Sequence, residues 1–288
     1  MIEWRGREMF RWTNLFRGFL MGICEIIPGV SSGTMALLLG IYEQFLGAIS
    51  RIVSRHFKTA VLYLLPLVIG MGVAILTMSS LMDYLLTEHM VPTHWFFIGM
   101  VLGVIPMMFS ISSYKTEFRP AHYIVMGLVI VLLYWMSTVN DAAAPAESID
   151  ISVPVMIGLF FSGMLASAVM LLPGISGSLM LLILGAYPVI MRAISEFTSF
   201  NFSVLPILIA TGLGIVSGLL LASRGIQFLL RNYTYIMYAA IIGLLFGSVF
   251  PLYPGLPDAA GTWIASIVSL AAGLSISTYM GSKNNETI

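Results

Sequence analysis

Apolar runs about as long as a bilayer is thick recur along this chain, and they constrain its fold more than any motif does. A helix crossing the hydrocarbon core needs about 20 largely apolar residues. Residues 60–80, 94–113, 121–139, 203–223, 233–252 and 262–280 each meet that requirement. Only 9% of the 288 residues are charged, against about 25% in soluble chains, so charge is too scarce to clothe a soluble globule. The expectation is an all-α polytopic integral membrane protein with no length left for a soluble domain. Lys+Arg and Asp+Glu balance at 13 each with no basic block, which speaks against nucleic acid as a partner.

Two stretches break the pattern. Residues 15–50 and 155–195 are too long for one crossing and too short for two with a loop, and each is interrupted by a Pro-Gly pair, Pro28-Gly29 and Pro173-Gly174. Proline removes a backbone donor, and irregular backbone persists at membrane depth only where protein or a wet cavity satisfies it. Each stretch is therefore expected to be a re-entrant hairpin of two half-length helices meeting near mid-membrane. The charges agree with this. Given a cytoplasmic N-terminus, Arg5, Arg7, Arg11, Arg17, Arg51, Arg55, Lys58, Lys115, Arg119, Arg224, Arg231 and Lys283 all fall inside, and Arg192 alone falls outside. Both termini are then cytoplasmic. The 82–93 link becomes an outer loop, and the basic N-terminus, lacking a small-residue cleavage site, reads as retained.

The chain also repeats itself. Gly18 to Ser50 overlies Gly163 to Ser195 without a gap, setting Pro28-Gly29-Val30-Ser31 on Pro173-Gly174-Ile175-Ser176 and Gly40-Ile41-Tyr42 on Gly185-Ala186-Tyr187. Further on, Leu65-Pro66 falls near Leu205-Pro206, and Gly99 to Gly103 near Gly243 to Gly247. Residues 1–140 and 141–288 thus read as two repeats, each one hairpin plus three spans. Three is odd, so the second repeat enters from the opposite face. Such inverted repeats place broken helices at the membrane midplane and alternate access by exchanging the conformations of the two halves. A transporter is the expectation, with a duplicated bundle that transports nothing as the rival.

Candidate binding residues gather at the hairpin tips: Gly29, Ser31, Ser32, Gly33 and Thr34 in the first, and Gly174, Ser176, Gly177 and Ser178 in the second. Each tip is a hydroxyl-rich, glycine-rich turn opening a helix. Free N–H groups and the positive end of the helix dipole suit an anion such as a phosphate or carboxylate, although serine and threonine are also ordinary N-caps. Glu25 lies about one turn before the first tip in apolar surroundings, where an ionised carboxylate is costly; Met170 takes its place in the second repeat. It is either a proton- or ion-coupling group or a backbone-bonded structural one. Arg192 is placed to grip a phosphate at the outer interface or to anchor there beside Glu196. Arg51, Arg55, Arg224 and Arg231 are candidates for an inner release site. His89 and His94 in the outer loop, and the isolated His56 and His122, have no partners at ligand spacing, so neither a metal nor a cofactor is expected. The spacings Gly99 to Gly103, Gly214 to Gly218 and Gly243 to Gly247 read as helix packing.

Cys24 to Glu43, with its Pro28-Gly29-Val30-Ser31 turn, and Leu172 to Tyr187, with Pro173-Gly174-Ile175-Ser176, resemble the bacterial polyprenyl-phosphate (undecaprenyl-phosphate) transporter family, and the likeness extends over nearly the whole chain. The resemblance implies a non-enzymatic flippase of the bacterial inner membrane. Such a protein returns undecaprenyl phosphate from the outer to the cytoplasmic leaflet for reuse as an envelope carrier. It also carries over the tip residues as head-group contacts and Glu25 as a coupling residue. The partners implied are a polyprenyl-phosphate lipid and the bilayer. Proton against sodium coupling, direction of net flux and homo-oligomerisation stay open. Rival functions are a secondary carrier of a small anion and a membrane-embedded lipid phosphatase.

Overall fold

The computed structural model describes residues 12–26, 31–138 and 151–285. The elements of the first half are α1 (Trp12–Ile26), α2 (Ser32–Leu38), α3 (Tyr42–Arg51), α4 (Phe57–Glu88), α5 (Met90–Ile111), α6 (Tyr114–Glu117) and α7 (Pro120–Thr138). Those of the second are α8 (Val153–Met170), α9 (Gly177–Ile183), α10 (Tyr187–Thr198), a 3-10 turn at Phe202–Val204, α11 (Leu205–Asn232), α12 (Thr234–Gly247), α13 (Val249–Leu252) and α14 (Ala260–Asn285). No strand occurs among the described residues. Among the described residues seven segments are long and apolar enough to cross a membrane: α4, α5, α7, α8, α11 with its leading turn, α12 with α13, and α14. This is an all-α polytopic membrane protein.

Three sequence expectations need correction. First, α8 is not half-length. It runs 18 residues, about 27 Å at 1.5 Å per residue, because Pro154 sits in its tolerated first turn and nothing breaks the helix before the tip. Second, the supposed 82–93 loop is helical. α4 extends over 32 residues to Glu88, His89 alone separates it from α5, and His94 is a buried residue of α5. Third, Pro66 and Pro206 are not equivalent, since Pro66 is buried inside α4 while Pro206 opens α11. A proline in the first turn needs no donor, whereas one in the interior breaks the ladder.

The helix order of the first half recurs in the second, and the match is local as well. His89 (φ −129°, ψ 37°) and Tyr233 (φ −130°, ψ 45°) make the same sharp break between consecutive helices. Each break is braced by an edge-to-face pair, Tyr84 with His89 and Phe228 with Tyr233. α1 packs along α4 and α8 along α11, whereas α7 packs on α12 and α14 on α5. The last span of each half is therefore lodged in the other. Lipid offers no hydrophobic drive for helices to associate, so close backbone approach through small residues has to supply it. The glycine pairs serve this purpose. A side chain at Gly214 would strike the Phe160 carbonyl of α8, and one at Gly99 the Leu270 carbonyl of α14.

Each hairpin carries a second break that the sequence reading did not anticipate. α2 and α9 both stop after seven residues. Gly40 (φ 67°) and Gly185 (φ 68°) take the left-handed conformation there, which costs glycine nothing and other residues about 1 kcal/mol or more. Gly40 N–H donates to the Leu37 carbonyl and Ile41 N–H to Ala36, each at 2.9 Å; Gly185 and Ala186 repeat the pattern with Leu182 and Leu181, also at 2.9 Å. Both pairs are Schellman motifs, which satisfy the last carbonyls of a terminating helix. Past the second, α10 leaves α9 at 110°.

Candidate functional site

The two tips come into contact, with hairpin one cradling the backbone of hairpin two. Gly174 N–H donates to Thr34 Oγ1 at 2.9 Å and to Ser31 Oγ at 3.2 Å. Tyr42 hydroxyl donates to the Leu171 carbonyl at 3.0 Å, and Ser31 hydroxyl reaches the Leu172 carbonyl at 3.5 Å. Gly33 lies under the same strand of backbone, where a Cβ would stand 3.0 Å from the Leu171 oxygen. On its far side Gly174 (φ 85°) nests against α12, where a Cβ would sit 2.6 Å from the Leu244 oxygen. Position and dihedral both demand glycine.

At the first tip the helix start is capped. Ser31 caps α2 by accepting from Thr34 N–H at 3.3 Å, and Glu25 Oε1 accepts from Ser32 N–H at 3.0 Å. The Glu25 carboxylate thus occupies the anionic position at the start of α2, in keeping with the bonded alternative weighed from sequence, here to its own hairpin. Gly29 lies outside the described residues.

The second tip differs. At the start of α9, Ser176 is the N-cap residue but makes no side-chain cap bond, and its hydroxyl instead meets Ser178 Oγ at 2.7 Å on an exposed surface. Beside Gly177 stands the Met170 side chain, 3.3 Å from where a Cβ would be, so a thioether replaces the carboxylate of the first tip. All seven residues of α2 are buried and none of α9 is. α3 packs on α11, where Gln227 Nε2 donates to the Leu46 carbonyl at 2.9 Å, while α10 makes no comparable packing against α4. The two hairpins, alike in sequence, stand in different arrangements.

Arg192 lies on α10, its Nε 3.2 Å from Glu196 Oε1, with the side chains 39% and 30% exposed. Glu196 Oε2 also accepts from Asn201 Nδ2 at 2.9 Å. Arg192 is thus held in the ion pair weighed as its alternative role. Among the described residues no group of histidine, cysteine, aspartate and glutamate is arranged to hold a metal ion.

Residues 21–268 match the VCA0040-like, undecaprenyl phosphate translocase-like family. The chain belongs to that family. Within the undecaprenyl phosphate translocase-like family it is similar to a protein named polyprenyl-phosphate transporter from Staphylococcus aureus (strain NCTC 8325 / PS 47). The two are 42% identical over 276 residues, which is 95% of this chain and 97% of the relative. A second polyprenyl-phosphate transporter, from Vibrio cholerae serotype O1 (strain ATCC 39315 / El Tor Inaba N16961), is 30% identical over 264 residues, 86% of this chain and 80% of its own. No solved structure matches the chain. Both relatives are named as transporters rather than enzymes.

Sequence reasoning did not single out Tyr42 or Gln227 in this undecaprenyl phosphate translocase-like chain. The Gly-x-Tyr pattern after each short tip helix pointed to Tyr42. Nothing local pointed to Gln227, whose partner lies 181 residues away.

Proposed function

We propose that the protein moves a polyprenyl phosphate such as undecaprenyl phosphate across the bacterial inner membrane by alternating access, from the outer to the cytoplasmic leaflet. Its organisation is taken as two inverted repeats, 1–140 and 141–288, with both termini cytoplasmic. The observation that carries the proposal is the inequality of the tips. Where tip one has Glu25 on the first helical N–H, tip two has Met170 and an uncapped helix start flanked by two exposed hydroxyls. Uncapped N–H groups at membrane depth require a polar partner. The phosphate takes the place at tip two that Glu25 fills at tip one, held by Ser176, Gly177 and Ser178.

In this orientation the arms of hairpin one enter from the cytoplasm. Packing of α3 on α11 then closes the inner side, and the loosely held hairpin two opens outward. Uptake at tip two precedes an exchange of arrangements, after which hairpin one loosens and its residues Gly29, Ser31, Ser32, Gly33 and Thr34 are freed toward the cytoplasm. Glu25 is the proposed coupling group, because a proton on it would weaken its hold on Ser32 N–H and release the first tip. The prenyl chain stays in the bilayer while only the head group crosses, which avoids the many kcal/mol of burying an unpaired charge in lipid. Names of two relatives and the family match support lipid-phosphate transport.

The experiment is leaflet-resolved movement of undecaprenyl phosphate in proteoliposomes, comparing the intact protein with a Ser176→Ala, Ser178→Ala variant. Movement that falls at least tenfold in a variant of unchanged thermal stability is the expected result. No movement by the intact protein under any proton or sodium gradient would refute the proposal.

A further inference from the structure

At the end of α5 the chain builds a second polar and apolar surface that the tips do not use. Pro106 interrupts the α5 ladder, and Pro106 and Ser110 are both exposed. Ser112 then closes the helix, its N–H donating to the Met108 carbonyl at 2.9 Å and the Ser113 N–H to the Ser110 carbonyl at 3.4 Å. Ser113 turns the chain back in the left-handed conformation (φ 49°, ψ 39°), which costs a non-glycine residue about 1 kcal/mol or more. α6 follows, pinned by Tyr114 lying edge-to-face on Phe109 at 4.9 Å. Between α5 and α6 opens a cavity of about 830 Å³. Its apolar lining is Pro106, Phe109 and the Tyr114 ring, with the buried Ile105 behind, and its polar lining is Ser110, Ser113, Lys115 and Thr116.

Lys115 makes no ion pair among the described residues, and its Nζ lies 5.9 Å from the Tyr114 ring centroid. Glu117, two positions on, does not line the cavity. Residues 253–259, between α13 and α14, form no helix, and they carry no lysine or arginine.

We propose that this groove is a docking station for a polyprenyl phosphate at the cytoplasmic leaflet, distinct from the tips, and this rests on the function proposed above. The phosphate monoester is bound by the Lys115 ammonium, a point charge suited to phosphate, and by the Ser110 and Ser113 hydroxyls. The first isoprenoid units lie along Pro106, Phe109 and the Tyr114 ring. The cavity sets one ammonium beside an apolar lining, Pro106 and Phe109 of α5 and the Tyr114 ring of α6, which matches a phosphate monoester carried on an isoprenoid chain. The full charge of the station is on the inner side only, so it holds lipid arriving from the tips and favours release inward.

Native mass spectrometry of the full-length protein with added undecaprenyl phosphate tests this. The intact protein should bind two lipids at saturation. Lys115→Gln, and separately Ser110→Leu, should each bind one, as should the Ser176→Ala, Ser178→Ala variant, with thermal unfolding confirming that each is folded. A full complement of two on both groove variants overturns the station while leaving the tip assignment intact. A full complement on the tip variant alone instead removes the tip assignment. Phosphatidylglycerol occupying the groove in a Lys115-dependent way, with undecaprenyl phosphate unable to displace it, also overturns the station.

Discussion

Gln227 on α11 holds Leu46 on α3: its Nε2 donates to the Leu46 carbonyl at 2.9 Å and to the Ser223 carbonyl of its own helix at 3.0 Å. α10 has no comparable packing against α4. One amide thus marks the difference between the two hairpins, across a helix contact where a side chain added at Gly47 would meet Gln227 Oε1 only at 4.0 Å.

Replacing Gln227 with leucine removes the donor and should loosen α3 from α11. In a Cys24→Ser background, a Gly47→Cys probe should react several-fold faster with a membrane-impermeant maleimide applied from the cytoplasmic side when Gln227 is absent. Equal rates would show that the bond does not hold the gate.

Thr34→Val removes the nearer of the two acceptors of Gly174 N–H. A buried donor left without a partner costs about 1–3 kcal/mol, and Ser31 Oγ at 3.2 Å retains part of the bond. The expected loss is about 1 kcal/mol, read as a lower unfolding temperature in detergent, and Ser31→Ala, Thr34→Val together should cost more than either alone.

Glu25→Gln keeps an oxygen for Ser32 N–H but removes the titrating group. Transport should persist, with its dependence on pH flattened relative to the intact protein. Glu25→Leu leaves Ser32 N–H unpaired and should lower both stability and transport. An unchanged pH profile in Glu25→Gln would take the residue out of coupling.

Gly214→Leu drives a side chain into the α8 backbone at Phe160. Overpacking of a rigid contact costs about 1–3 kcal/mol or more, so the yield of folded protein should fall sharply. Gly212→Leu, with nothing within 4 Å of its added Cβ, should fold as the intact protein does, and size-exclusion profiles of the pair measure the contrast.

Much of the fold was legible in the sequence because membrane-crossing helices announce themselves by length and apolarity alone. The spans at 94–113, 121–139 and 262–280 lie close to α5, α7 and α14. Half-length hairpin arms were misjudged because proline and glycine mark where a chain turns, not how far a helix runs before it. The helical 82–88 segment was missed since Asp83 and Glu88 look like loop residues, yet an exposed helix end carries charge as readily. Ser31, Thr34 and Gly174, read from sequence as residues of two tips, are in contact. Their mutual satisfaction was not foreseen, because a turn rich in donors and acceptors looks the same in sequence whether its partner is a ligand or another turn.

The amino-acid sequence by itself determined that this is a polytopic helical membrane protein with two related Pro-Gly turns, one of them preceded by Glu25 and the other by Met170. Those properties follow from local chemistry: the period and length of apolar runs, and the residues that stop a helix. Only the tertiary structure decided that Glu25 accepts from Ser32 N–H of its own tip, that Tyr42 and Thr34 hold the backbone of the other, and that Gln227 ties α11 to α3 while α10 has no comparable packing against α4. The last two depend on partners more than a hundred positions apart, which no local pattern reveals, while Glu25 and Ser32 stand only seven apart; two hairpins related in sequence differ both in their surroundings and in residues such as Glu25 and Met170.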